Sequence, residues 1–185
     1  MQLQKMDPVF NKGVSAMRPA FNSEPRYRVT MLTTEEWTKG PGTPPAVKGL
    51  VWYTDGSRLW RGTGARVYGK SLGRRLSICL GKYATVFQAE IHAILACAYE
   101  ICMDVRPEKY VSICCDSQVA LIALHVGKTT SPLVKQCQKA LNDISTQHSV
   151  GLFWVPGHSR IGRNEIANKL AKPALQVSRQ NMRKK

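Results

Sequence analysis

Acids are scarce in this chain: 12 Asp and Glu among 185 residues, against 27 Lys and Arg, for a net charge of +15. A surface this positive points to a phosphate-rich partner, through steering and counterion release. The bland alternative is a solvated basic face. An anionic membrane is a weaker rival, because no basic amphipathic helix is evident. Long apolar runs are also missing. Nothing approaches the roughly 18 residues that span a bilayer, so no membrane association is expected. Residues 1–10 lack the apolar core of a secretory signal. CxxC pairs are absent as well. The six cysteines (Cys79, Cys97, Cys102, Cys114, Cys115, Cys137) show no zinc-ligand spacing. Five of them lie in apolar-patterned segments and read as reduced core thiols of an intracellular protein. Nucleus and cytoplasm are not distinguished, since Arg183-Lys184-Lys185 is too short for an import signal. What is present is a real core: 43% of the residues are apolar, which argues against wholesale disorder and suits one domain with a tail.

The charge is unevenly placed. No acid lies between Asp55 and Glu90, whereas Arg58, Arg61, Arg66, Lys70, Arg74, Arg75 and Lys82 do. After Asp116 only Asp143 and Glu165 are acidic, against 11 bases.

Residues 1–49 are broken by Pro8, Pro19, Pro25, Pro41, Pro44 and Pro45 and read as a connector-like segment dispensable for chemistry. Within it only residues 27–32 look like a short strand. Regular patterning over residues 50–175 marks the folded domain, and residues 176–185 read as a basic flexible tail. A β-rich run at 50–54 ends at Asp55-Gly56, a turn signal. Residues 64–69 and 76–80 resemble two further strands. Phe87, Ile91, Ile94, Leu95, Ala98, Ile101 and Cys102 then recur at helical spacing. A strand at 109–115 and a short helix at 117–126 come next. Ser131-Pro132 supplies an N-cap and N1 proline for a helix with Val134, Cys137, Leu141 and Ile144 on one face. A last strand at 150–155 and a last helix at 164–172 complete an α/β domain with a mixed sheet.

Against this background three acids stand out. Asp55 closes the first strand and Asp116 follows another. Taken singly they read as a turn residue and an N-cap. Glu90 lies at the edge of the apolar helical stripe, with no base three or four positions away to pair with it, so desolvating it needs another partner. Two strand-end aspartates and a helix glutamate facing the sheet could converge and bind hard cations. Two such ions about 4 Å apart activate water and stabilise the leaving oxygen in phosphodiester cleavage.

Thr54-Asp55-Gly56-Ser57, Gln88-Ala89-Glu90, Cys115-Asp116-Ser117-Gln118 and Trp154-Val155-Pro156-Gly157-His158-Ser159 resemble, in order, the motifs of type 1 ribonuclease H, and residues 164–171 continue the match. The style is that of the ribonuclease H domain of non-LTR retrotransposon polyproteins, with residues 27–37 similar to the connector before it. The resemblance implies a ribonuclease H-like five-stranded mixed sheet flanked by helices, and endonucleolytic cleavage of RNA in RNA–DNA hybrids. It implies two Mg²⁺ ions, replaceable by Mn²⁺, held by Asp55, Glu90 and Asp116. His158 would assist proton transfer or product release from a mobile loop; without the family it is a loop histidine of unknown use. Ser57, Ser117 and Gln118 would contact nucleic acid. A reverse transcriptase would belong to a longer parent chain.

Two positions depart from the family pattern. Asn168 stands where a fourth metal-binding aspartate is usual, and Val86 and Phe87 replace asparagines that contact RNA in cellular members. Glu165, on the same expected helix as Asn168, reads as structural. Two rivals remain: a transposase-like core built on Asp55, Asp116 and Glu165, which leaves Glu90 and His158 unexplained, and a nucleic-acid-binding relic with little or no catalysis.

Overall fold

The alternation of short apolar runs with one long apolar stripe resolves into a mixed sheet with helices packed against it. The structure, a computed structural model, describes residues 20–39, 43–60, 62–104 and 106–157. Strands β1 (Phe21–Asn22) and β2 (Arg28–Thr30) and helix α1 (Thr34–Thr38) come first. They precede β3 (Leu50–Leu59), β4 (Gly62–Gly69), β5 (Arg74–Gly81) and helix α2 (Val86–Met103). Then follow β6 (Tyr110–Cys115), α3 (Gln118–His125), β7 (Lys128–Thr129), α4 (Pro132–Ile144) and β8 (Ser149–Trp154). The main sheet has the order β2-β8-β6-β3-β4-β5. Its first four members run parallel, and β3, β4 and β5 are antiparallel. Strands β1 and β7 form a separate pair.

Helix α2 is nucleated by a capping box: Thr85 accepts from the Gln88 N–H, and Gln88 reaches back to the Thr85 N–H. By length and composition it could cross a membrane, which the sequence reading did not anticipate. Here half of that stretch is buried, laid against β3, β4 and α4. Its Ile91 and Ile94 join Trp52, Val67, Leu141 and Leu152 in the larger core. Each such side chain contributes about 1.5–3 kcal/mol on burial. Helix α4 begins as expected, with Ser131 as N-cap and Pro132 at its first turn, and it buries Val134, Cys137, Leu141 and Ile144. All six cysteines are free. Four are buried; Cys79 and Cys102 are exposed, Cys102 because the end of α2 turns that position outward.

Three expectations need correction. The sheet has six strands rather than five, because Arg28–Thr30 adds to the edge of β8 in parallel register, Arg28 beside Gly151 and Thr30 beside Phe153. For the same reason the boundary after residue 49 does not mark a break in packing. Tyr27 is buried in the main core and its hydroxyl donates to the Leu124 carbonyl at 2.8 Å. Leu32, Trp37 and Val47 cover the opposite face of the sheet with Val51, Tyr53, Cys114 and Phe153. Third, Asp55-Gly56 is no turn. Strand β3 runs on to Leu59, which pairs with Gly62. His158, the helix expected at 164–172 with Glu165 and Asn168, and the tail lie outside the described residues.

Candidate active site

Strands β3 and β6 run side by side until Thr54 pairs with Cys115. The next residue on each is an aspartate, so the parallel register sets Asp55 and Asp116 at the same level. There the two chains diverge. Strand β3 continues along β4, while β6 hands over to α3, whose N-cap Ser117 accepts from the Ala120 N–H at 3.3 Å.

Gly56 lets α2 descend onto this level. A Cβ there would lie 2.6 Å from the Glu90 nitrogen and 2.9 Å from its Cγ, so any larger residue would push the helix away. The close approach places Glu90 over the strand ends, where the Gly56 N–H donates to its carboxylate. Glu90 is only 4% exposed. Burial, and then the Asp116 and Asp55 charges, push its pKa up to about 8, against the Gly56 N–H and the Cys115 thiol. Cys115 Sγ donates to Glu90 Oε2 at 3.6 Å. Burial and the Glu90 charge push that thiol well up, which disfavours a thiolate there.

Among the described residues, ligand atoms of Glu90, Cys115 and Asp116 lie within 4.8 Å of one another. With the thiol neutral, the working donors are carboxylate oxygens, the set that suits a hard cation such as Mg²⁺ or Mn²⁺. A buried glutamate beside a second acid fits such a cation, whose charge would offset both the burial and the repulsion that raise the Glu90 pKa. Asp55 lies outside that convergent set and is engaged elsewhere. Its Oδ2 accepts from Arg66 Nη1 at 3.1 Å, while Arg66 Nη2 donates to Ser57 Oγ at 2.8 Å.

The structure thus brings Asp55, Glu90 and Asp116 to one end of the sheet. Ser57, half-buried, accepts from Arg66; Ser117 caps α3; Gln118 opens α3 and is exposed. Some contributors were not apparent in the sequence. Trp154 Nε1 donates to the Asp116 carbonyl at 3.1 Å, and the Trp154 carbonyl accepts from Trp37 Nε1 at 2.9 Å. Beyond Asp55, at the same end, Trp60 and Tyr83 are 83% and 99% exposed, in company with exposed Arg58 and Lys82. Thr63 Oγ1 donates to the Ala84 carbonyl at 2.6 Å, tying the hairpin to the loop that carries Tyr83. Arg66 is placed by register: with Leu59 paired to Gly62, it falls opposite Asp55.

The RNase H family model matches residues 47–176, well over half of the chain and inclusive of every residue discussed as a ligand. Comparison with curated proteins finds no match.

Proposed function

Because the chain belongs to the RNase H family, a family of RNA–DNA hybrid nucleases that generally use Mg²⁺, we propose that it is a type 1 enzyme cutting the RNA strand endonucleolytically, with Asp55, Glu90 and Asp116 as ligands of two divalent ions. The observation that carries this reading is that three acids, scarce in this sequence, lie at one level of the sheet, with Glu90 and Asp116 already close enough to share an ion. When bound, the ions supply activation of water and stabilisation of the leaving oxygen. Asp116 is oriented by its backbone, held through Trp154. Glu90 is oriented by the Gly56 N–H, and its pKa, raised to about 8 by burial and the neighbouring acids, would fall on cation binding. Exposed Arg58 and Lys82 would meet phosphates, and Trp60 and Tyr83 offer faces on which bases or sugars stack.

The remaining roles rest on the motif resemblance. His158 assists proton transfer or product release, Asn168 supplies an amide near one ion, and Ser57, Ser117 and Gln118 contact the hybrid. The same motifs support origin in a non-LTR retroelement and a reverse transcriptase in a longer parent chain, and the free thiols support an intracellular setting. A second reading, binding with weak or no cleavage, draws on Asn168. The transposase-like alternative gives no role to Glu90, which here lies beside Asp116.

The test is a labelled RNA–DNA hybrid incubated with the protein in Mg²⁺ or Mn²⁺, with and without chelator. Chelator-sensitive cleavage of the RNA strand supports the enzyme. Retention of the hybrid without cleavage in either metal would replace it with the binding reading, and cleavage of duplex DNA alone would favour the transposase-like core.

A further inference from the structure

We propose that Arg66 is an internal cation that holds Asp55 and competes with the divalent ion for it, so that this one side chain sets the metal requirement of the site. The inference rests on the assignment of Asp55, Glu90 and Asp116 as metal ligands.

Arg66 and Asp55 are direct cross-strand partners in the antiparallel pair of β3 and β4. Side chains at such positions stand on the same face of the sheet with Cβ atoms about 4.5–5.5 Å apart. The guanidinium fork uses that proximity twice, with Nη1 on Asp55 and Nη2 on Ser57, two residues along the same strand face. Two-point attachment fixes the guanidinium against the carboxylate, which a lysine could not do. The pair is largely out of water: the side chains are 14% and 11% exposed. Their attraction is therefore much less screened than that of a surface pair.

The position of Asp55 agrees. Glu90 and Asp116 offer ligand atoms within 4.8 Å of each other, and Asp55 does not belong to that set. A cation that draws on Asp55 works against the hold of Arg66 on Oδ2, and whether or not that bond breaks the guanidinium stands as a positive charge near the ion. Both effects weaken metal binding. The charge count points the same way, with three acids, one of them neutralised, and an uncharged Asn168 where the family carries a carboxylate.

The opposite possibility, that Arg66 merely orients Asp55 for the metal, predicts the opposite sign, and this makes the proposal testable without turnover. Mn²⁺ binding to the full chain is followed by water-proton relaxation for wild type, Arg66→Met and Arg66→Gln. Each is repeated with Asp55→Asn, and Glu90→Gln serves as the control for the site. Removing one positive charge beside a divalent ion should, after solvent screening, shift the midpoint by about ten- to hundredfold. Arg66→Met and Arg66→Gln should therefore both bind Mn²⁺ at least about tenfold more tightly. With Asp55→Asn the gain should shrink, because competition for that carboxylate is gone. Gln keeps a donor for Ser57 and serves if Met does not fold. Unchanged or weaker binding in the folded Arg66 variants, with Glu90→Gln still reducing binding, would overturn the role of Arg66 alone. Binding indifferent to both Glu90→Gln and Asp55→Asn, or no binding by any of the proteins, would overturn the metal-site assignment itself.

Discussion

The two halves of the main sheet follow different rules. In the parallel half, β6 is buried from Val111 to Cys115 and β8 from Val150 to Phe153, because both faces are covered. In the antiparallel half, β4 alternates buried with half-exposed positions and β5 has none fully buried. Strand β3 belongs to both halves. It is continuously buried from Leu50 to Asp55 and then opens toward solvent from Gly56. The change comes where β3 loses its neighbour β6 and keeps β4. The acids sit at this step. One strand end there is still anchored while the next has turned into a helix, which leaves room for a ligand beside a rigid floor.

The comparison is broken most severely at the step itself. Glu90→Gln and Asp116→Asn should each remove hybrid cleavage, by about a thousandfold or more, since a lost ligand forfeits several kcal/mol of transition-state stabilisation. Circular dichroism should show both still folded. Asp55→Asn should match them in cleavage but also lose stability, because it leaves Arg66 poorly paired in a largely buried position. Activity within tenfold of wild type for any of the three would remove that residue from the site.

Next in size is the contrast between the halves. Trp37→Ala removes a 2%-exposed indole from the cover of the parallel half together with its bond to Trp154. It should cost about 3–5 kcal/mol in denaturant unfolding. Cys79→Ser, exposed on β5, should stay within about 0.5 kcal/mol. Similar costs for both would show that the halves are equally tolerant.

The third effect concerns pH. With metal removed, the folded protein holds the Glu90 proton more tightly than the unfolded chain does, with a pKa raised from 4.5 to about 8. That contribution is fully present below pH 4.5 and is lost as pH rises through about 8. Unfolding free energy should therefore fall across this window by up to about 1.4 kcal/mol per pH unit. Glu90→Gln should flatten the slope, and Mg²⁺ binding should strengthen over the same range. A wild-type profile as flat as the variant's would show that Glu90 is not held protonated.

The smallest expected effect is that of Asn168→Asp. One added carboxylate should raise cleavage about ten- to hundredfold and lower the Mg²⁺ needed, with Mn²⁺ partly masking the gain. Hybrid affinity without metal should hardly change. Equal rates and equal metal midpoints in a titration would place residue 168 away from the ions.

Much of this was legible in the sequence, for local reasons. The stripe from Phe87 to Ile101, the Ser131-Pro132 start and Asp116 just past a strand end are all signals that adjacent residues carry by themselves. What escaped depends on partners distant in the chain. The strand at Arg28–Thr30 falls within the run expected at 27–32, but that it joins the main sheet depends on the open edge of β8, which nothing local announces. Asp55-Gly56 reads locally as a turn, and only the descent of Glu90 onto Gly56 explains the glycine inside a strand. Arg66 looked like one base among seven until the hairpin register set it against Asp55.

The parallel pairing of β2 with β8 also has a temporal side. The residues joined, Arg28 to Thr30 with Gly151 to Phe153, stand more than 120 positions apart, so the first strand of the sheet to leave the ribosome is among the last that can dock. At about 5–20 residues per second, some seconds of synthesis separate the two. During that interval Tyr27, Leu32 and Trp37 lack the part of their cores that β8 supplies. Contacts of such long range also slow folding after release, since the loop must close before they form. The strand that completes the sheet thus makes its assembly wait for the chain beyond residue 150, and a nascent chain halted before β8 should present these apolar side chains to chaperones.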